Sequence, residues 1–219
     1  MRVWDFPLRL FHWSLFISIV GAIVSVKADV MWLHERFGLT ILGLITFRIF
    51  WGFLGGHYAQ FRQFLTLPPI AFQELKTILK PKPKTKAGHS AIGGYATLAL
   101  LGIPLFMAIS GTMSNDDVLF EGPLAHLVPN GTDAASSSHR IGENFLLFVV
   151  FLHFSAIVFY KYKHKRNLTS AMVTGNADDV TVRSVDGSIS IKRKFFGIFL
   201  MLVFIATAQS ILLLRPSLF

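Results

Sequence analysis

The sequence predicts an all-α membrane protein: a four-helix transmembrane bundle followed by a fifth, C-terminal spanning helix. Three observations point there. Apolar residues make up 53% of the 219-residue chain against 15% charged, and the mean hydropathy is +0.55. Five apolar stretches approach the roughly 20 residues that a spanning helix needs. Basic residues gather in alternate loops. Such a composition excludes a disordered chain and argues against a soluble globule. Cysteine is absent. That excludes disulfides, thiolate-held zinc, iron–sulfur clusters, and any haem attached or ligated through cysteine sulfur.

The first span covers residues 8–26. No small-residue cleavage site follows a basic start, so it reads as a retained helix rather than a signal peptide. The second covers 37–55, the third 91–113, the fourth 141–160 and the fifth 195–214. Pro104 is expected to kink the third. The loop between the second and third spans carries Arg62, Lys76, Lys80, Lys82, Lys84 and Lys86. The loop between the fourth and fifth is equally basic, from Lys161 to Lys194. By the positive-inside rule these two loops are cytoplasmic. The N-terminus is then inside and the C-terminus outside. The net charge of +9 is read as membrane-facing rather than nucleic-acid-binding. Residues 179–192 alternate apolar and polar around Asp186-Gly187, which predicts a hairpin. The outer loop, 114–138, is expected to be irregular and is acidic on balance, with Asp116, Asp117, Glu121 and Asp133.

Eight histidines are present. Ionisable groups at membrane depth are costly and usually functional. His12 lies near the cytoplasmic start of the first span, and His153 lies deep in the fourth, toward its cytoplasmic end. His34 and His139 lie where the second and fourth spans begin at the outer face. These form two pairs matched in depth. His139 and His153 are 14 residues apart, about 40° short of four full helical turns and about 21 Å along the axis. One helix face thus presents two imidazoles too far apart to share one mononuclear metal. The pattern predicts two bis-imidazole haem irons, an inner one on His12 and His153 and an outer one on His34 and His139. Arg48 follows His34 by the same 14 residues and falls at inner depth, where no acidic residue stands. The inner propionates would be its partner. Arg9 precedes His12 by three residues on the same face, as a propionate contact or a cation reaching the phosphates. His89, at the head of the third span, reads as a quinone or propionate contact or a headgroup-level polar residue. His57 and His164 are expected to be solvated, and His126 to lie at the surface. Gly38 and Gly142, near His34 and His139, are the small residues expected to make room for the outer macrocycle.

The stretches VWDFPLRLFHWSL (3–15), HERFGL (34–39), FRIFWGFLGGHYAQF (47–61), GHSAIGG (88–94), SHRIGENFLLFVVFLHF (138–154) and NLTSAMVTG (167–175) resemble bacterial cytochrome b561. They are most similar to the di-haem b-type cytochromes that include the nickel–iron hydrogenase cytochrome b subunits. Ser90-Ala91 depart from the Asn-Pro that this pattern carries after Gly88-His89. The resemblance implies two non-covalent haem b groups on His12, His34, His139 and His153. It also implies electron transfer between the quinone pool and a periplasmic redox partner (a hydrogenase, a dehydrogenase or a c-type cytochrome) in the bacterial inner membrane. It divides the chain into a di-haem body over 1–175, a cytoplasmic loop over 176–194 and the fifth span. An electron-transfer subunit is then expected rather than a stand-alone oxidoreductase. The alternatives are a self-contained superoxide:quinone oxidoreductase, which the acidic outer loop disfavours, and a haem-free membrane anchor, which the matched depths disfavour.

Overall fold

The structure, a computed structural model, describes residues 1–79, 87–116, 120–177 and 185–216. Five of its helices are long and apolar enough to cross a membrane: α1 (Phe6–Lys27), α2 (Met31–Leu54), α4 (Ala91–Thr112), α5 (Thr132–Lys163) and α7 (Ile191–Ser210). Two shorter helices, α3 (Pro68–Thr77) and α6 (Leu168–Thr174), stand between them. Among the described residues there is no β-ladder, only the isolated bridges Arg2–Asn176 and Asn115–Glu121.

The five spans match the hydropathy reading in number and order, but several ends differ. α5 begins at Thr132, nine residues before the expected start, and runs for 32 residues. At 1.5 Å per residue it is about 48 Å long, longer than a hydrocarbon core of about 30 Å. Its polar opening turns, with Asp133 in the first, are therefore helical without being apolar. His139 sits inside the helix rather than at its start. α2 begins at Met31, so His34 lies in its first turn. α7 begins at Ile191 and takes up basic residues assigned to the preceding loop. α4 runs through Pro104 without interruption. Part of the expected hairpin, 179–184, lies outside the described residues. The described remainder, 185–190, forms no strand. It is bound instead by the N-terminal residues and Tyr58: the Gly187 amide donates to the Arg2 carbonyl at 2.9 Å, and the Tyr58 hydroxyl to the Val185 carbonyl at 2.9 Å.

The chain divides into two compact units. The first comprises Met1–Leu10, Arg48–Leu100 and Val149–Ile198; the second comprises Phe11–Phe47, Leu101–Phe148 and the residues from Phe199 on. In the first unit, Asn167 caps α6 by accepting from the Ser170 amide, and Gly175 ends it at φ 86°, a left-handed conformation that suits glycine. The Gly175 carbonyl then accepts from the amides of Val3 and Trp4, fastening the N-terminus to α6. A carboxylate organises the start of α1. Asp5, 3% exposed, accepts from the Leu8 amide at 2.9 Å, as an N-cap does. It also accepts from the Trp51 indole at 3.1 Å and the Gly56 amide at 3.0 Å. His164 is not solvated as expected: its ring donates to the Ile78 carbonyl at 3.0 Å. In the second unit the outer loop is tied to α5, because Ser136 Oγ accepts from the Asn115 amide and donates to the Asn115 carbonyl.

Candidate functional site

The second unit brings His34 of α2 and His139 of α5 together. Their ring centroids are 6.0 Å apart and the planes are nearly perpendicular, at 86°. Each Nδ1 lies 2.8 Å from a backbone carbonyl: Ala22 for His34 and Met107 for His139. A carbonyl only accepts, so both protons sit on Nδ1 and both lone pairs on Nε2. This is the outer hydrogen bond that metal-bound histidines characteristically make, fixing the tautomer and ring orientation. Two metal–nitrogen bonds of about 2 Å each, plus two half-rings, put trans imidazole centroids on the order of 6 Å apart. The two rings open onto a cavity of about 660 Å³, within the range of pockets that take a cofactor. Among the described residues no cluster of three or more His, Cys, Asp or Glu side chains forms a metal site. The donor set therefore suits a metal whose remaining ligands come with it, as a porphyrin's do.

Residues 3–175 match the family model of the prokaryotic cytochrome b561. The chain belongs to that family. No curated protein and no solved structure is significantly similar to it. Cytochromes b561 are helical bundles that bind haem b and carry electrons in a membrane, and five apolar helices make this one a multi-pass membrane protein.

The glycines around the outer cavity divide in an order the sequence does not reveal. Gly38 lines the cavity, and a Cβ there would meet nothing within 4 Å, as expected of a residue leaving room for a flat ring. Gly142 does not act this way. Its Cβ would stand 2.8 Å from Met107 Cγ, so it is a helix-packing glycine. The glycine against the His139 ring is Gly111 of α4, where a Cβ would meet His139 Cε1 at 3.0 Å and Nδ1 at 3.2 Å. No sequence signal marks Gly111 or the Met107 carbonyl, because the first acts by lacking a side chain and the second through its backbone. Gly111→Ala is expected to push the His139 ring and shift one low-spin haem signal in electron paramagnetic resonance while haem content is kept. Gly102→Ala, where a Cβ would meet nothing within 4 Å, is the neutral control.

In this cytochrome b561 the other expected site residues fall as follows. His12 lies on α1 in the second unit and His153 on α5 in the first. The remaining three lie in the first unit. Arg48 is 2% exposed, its guanidinium lies 4.8 Å from the centre of the Phe61 ring, and its buried Nη1 has no hydrogen-bond partner among the described residues. Arg9 donates through Nη1 to the Val173 carbonyl, while its buried Nε has no partner among the described residues. His89 packs between Trp4 and Phe64, at 4.8 and 4.5 Å between ring centroids, with Nδ1 buried and unpartnered. It is thus enclosed by aromatic rings. Burial, and secondarily the charge of Arg48, push its pKa down to about 3, so the ring is neutral at physiological pH. Buried donors without partners are costly. A group that brings carboxylates, as haem brings propionates, is the chemistry that would satisfy the two arginines. Donors and cavity thus fit haem.

Proposed function

We propose that this cytochrome b561 is a di-haem electron-transfer subunit of a respiratory chain. It moves electrons across the bacterial inner membrane between a periplasmic redox protein (a hydrogenase, a dehydrogenase or a c-type cytochrome) and the quinone pool. The observation that carries the reading is the His34–His139 pair, each ring held through Nδ1 with Nε2 left free to ligate. Bound haem supplies reversible one-electron chemistry. His34 and His139 would hold the outer iron, and His12 and His153 the inner. Iron held by two imidazoles would have no position left for oxygen, which suits outer-sphere electron transfer. Arg48 and Arg9 offer buried donors to the inner propionates, fixing orientation and charge. Neutral His89 offers Nδ1 to a quinone oxygen or a propionate. Residues 1–175 form the di-haem body, 176–194 a cytoplasmic connection, and 195–214 the fifth span, with the N-terminus cytoplasmic and the C-terminus periplasmic. The outer cavity is lined by Glu35, Asp116, Asp133 and Glu143 against Arg140, an acid-rich wall that disfavours an anionic substrate such as superoxide.

Haem quantitation with a reduced-minus-oxidised spectrum tests this directly. Two low-spin protohaems per chain are expected; a chain that stays colourless when supplied with protohaem rejects the proposal. Arg48→Leu is expected to lower the inner haem's midpoint potential, because a cation beside its propionates is lost and the oxidised state gains. Equal shifts at both haems would refute the pairing of Arg48 with the inner propionates.

A further inference from the structure

α7 and the residues after it lie beyond the stretch that the family model matches. In the second unit they grip the turns of α2 that carry His34. Gln209 Nε2 donates to the Arg36 carbonyl at 2.9 Å and to Thr40 Oγ1 at 3.0 Å. Arg36 Nη1 donates back to Gln209 Oε1 at 3.1 Å. A Cβ on Gly43 would stand 2.6 Å from Ile205 Cα, so no side chain separates the two helices there. A closing 3-10 turn, Ile211–Leu214, then brings Arg215 round. Its Nη2 pairs with Glu35 Oε1 and donates to the Glu121 carbonyl at 2.9 Å. Glu35 follows His34 in sequence and lines the outer cavity. Its side chain is only 11% exposed.

We propose that Arg215 is a charge-setting and positioning residue for the outer haem. By pairing with Glu35 it cancels a carboxylate beside the ligand His34 and raises that haem's midpoint potential. The inference rests on the reading of His34 as a ligand. Its physics is simple. The oxidised haem carries one more positive charge than the reduced, so a nearby carboxylate favours oxidation. The effect is larger where water is excluded. Four carboxylates and one arginine line the cavity; Lys27 pairs with Glu143 at 3.8 Å, and Arg215 brings a further cation to Glu35 from the far end of the chain. Its bond to the Glu121 carbonyl also ties the C-terminal residues to the outer loop.

Redox titration of both haems in the full-length holoprotein tests this. Arg215→Gln should lower the outer midpoint and leave the inner unchanged, and Arg215→Lys should stay near the parent. Glu35→Gln should raise the outer midpoint, and the Glu35→Gln/Arg215→Gln double variant should return to near the parent value, because the two opposite charges are then removed together. An unchanged outer potential in Arg215→Gln overturns the proposal. So does a double variant that keeps the shift of the single, since Arg215 would then act only as a tether. Should Arg215→Gln lose the haem altogether, Glu35→Gln decides alone: no rise overturns the proposal. His34→Ala separates the two levels. If it retains both haems, the ligand reading has failed; if it loses the outer haem while the Arg215 and Glu35 variants leave the outer potential unmoved, only the proposal has.

Discussion

Alanine in place of His139 is expected to halve the haem content of the purified chain, with the low-spin signal of one haem lost and the other kept. On the proposed assignment the ring would give the iron one of its two imidazole nitrogens, and its orientation is set by the Met107 carbonyl at 2.8 Å. Without it that haem would be held by His34 alone, and an iron that has lost one of two protein ligands is held more weakly. His34→Ala should remove the same haem, and the His34→Ala/His139→Ala double variant should lose no more than either single. His12→Ala and His153→Ala should remove the other haem, with the same non-additivity. Haem extraction and electron paramagnetic resonance on all four variants check this. If His139→Ala and His153→Ala both keep two low-spin haems, the ligand assignment is wrong. If His34→Ala and His139→Ala remove different haems, the pairing is wrong.

The long helices were legible because hydropathy is a direct consequence of what a helix must bury in lipid. Their ends were not, where polarity and helicity part company. The first turns of α5, TDAASSSHR, look like loop by composition, yet they continue a helix that projects beyond the apolar layer. The caps of α6 were written plainly as Asn167 and Gly175, seven helical residues apart, but so short an element leaves no periodic signal. The pairing of His34 with His139 could be anticipated because matched depth is a one-dimensional property that sequence position nearly reports. What faces those rings is three-dimensional. Only the packing shows that Gly111 touches His139 and Gly142 a methionine. The Glu35–Arg215 pair spans 180 residues, and nothing in either neighbourhood announces the other. The role of Asp5 was not legible, because its bonds to Trp51 and Gly56 join residues about 50 positions apart.

Asp5→Ala is expected to be the most destabilising single change outside the histidines, at about 3 kcal/mol or more. The carboxylate is 3% exposed and satisfies three donors that have no water to turn to: the Leu8 amide, the Trp51 indole and the Gly56 amide. Losing an N-cap costs about 1 kcal/mol, and each buried donor left unpaired costs about 1–3 kcal/mol. Trp51 is itself fully buried, so its indole cannot rotate out to solvent, and the methyl that replaces the carboxylate leaves a void against it. A negative charge that acts on Arg48 is also withdrawn, and taking counter-charge from a buried cation is destabilising. Asp5→Asn should cost less, because its amide oxygen keeps the Leu8 and Trp51 bonds and loses only the Gly56 one. The measurement is the thermal midpoint in detergent, read by haem release and by helix content. The order expected is parent, then Asp5→Asn, then Asp5→Ala. An Asp5→Ala chain as stable as the parent would mean that the three donors find other acceptors once the carboxylate is gone. In the Arg48→Leu background the cost of Asp5→Ala should shrink, because part of it is the lost attraction between that carboxylate and that guanidinium. Equal costs in the two backgrounds would show that the hydrogen bonds carry the whole effect and the charge none of it.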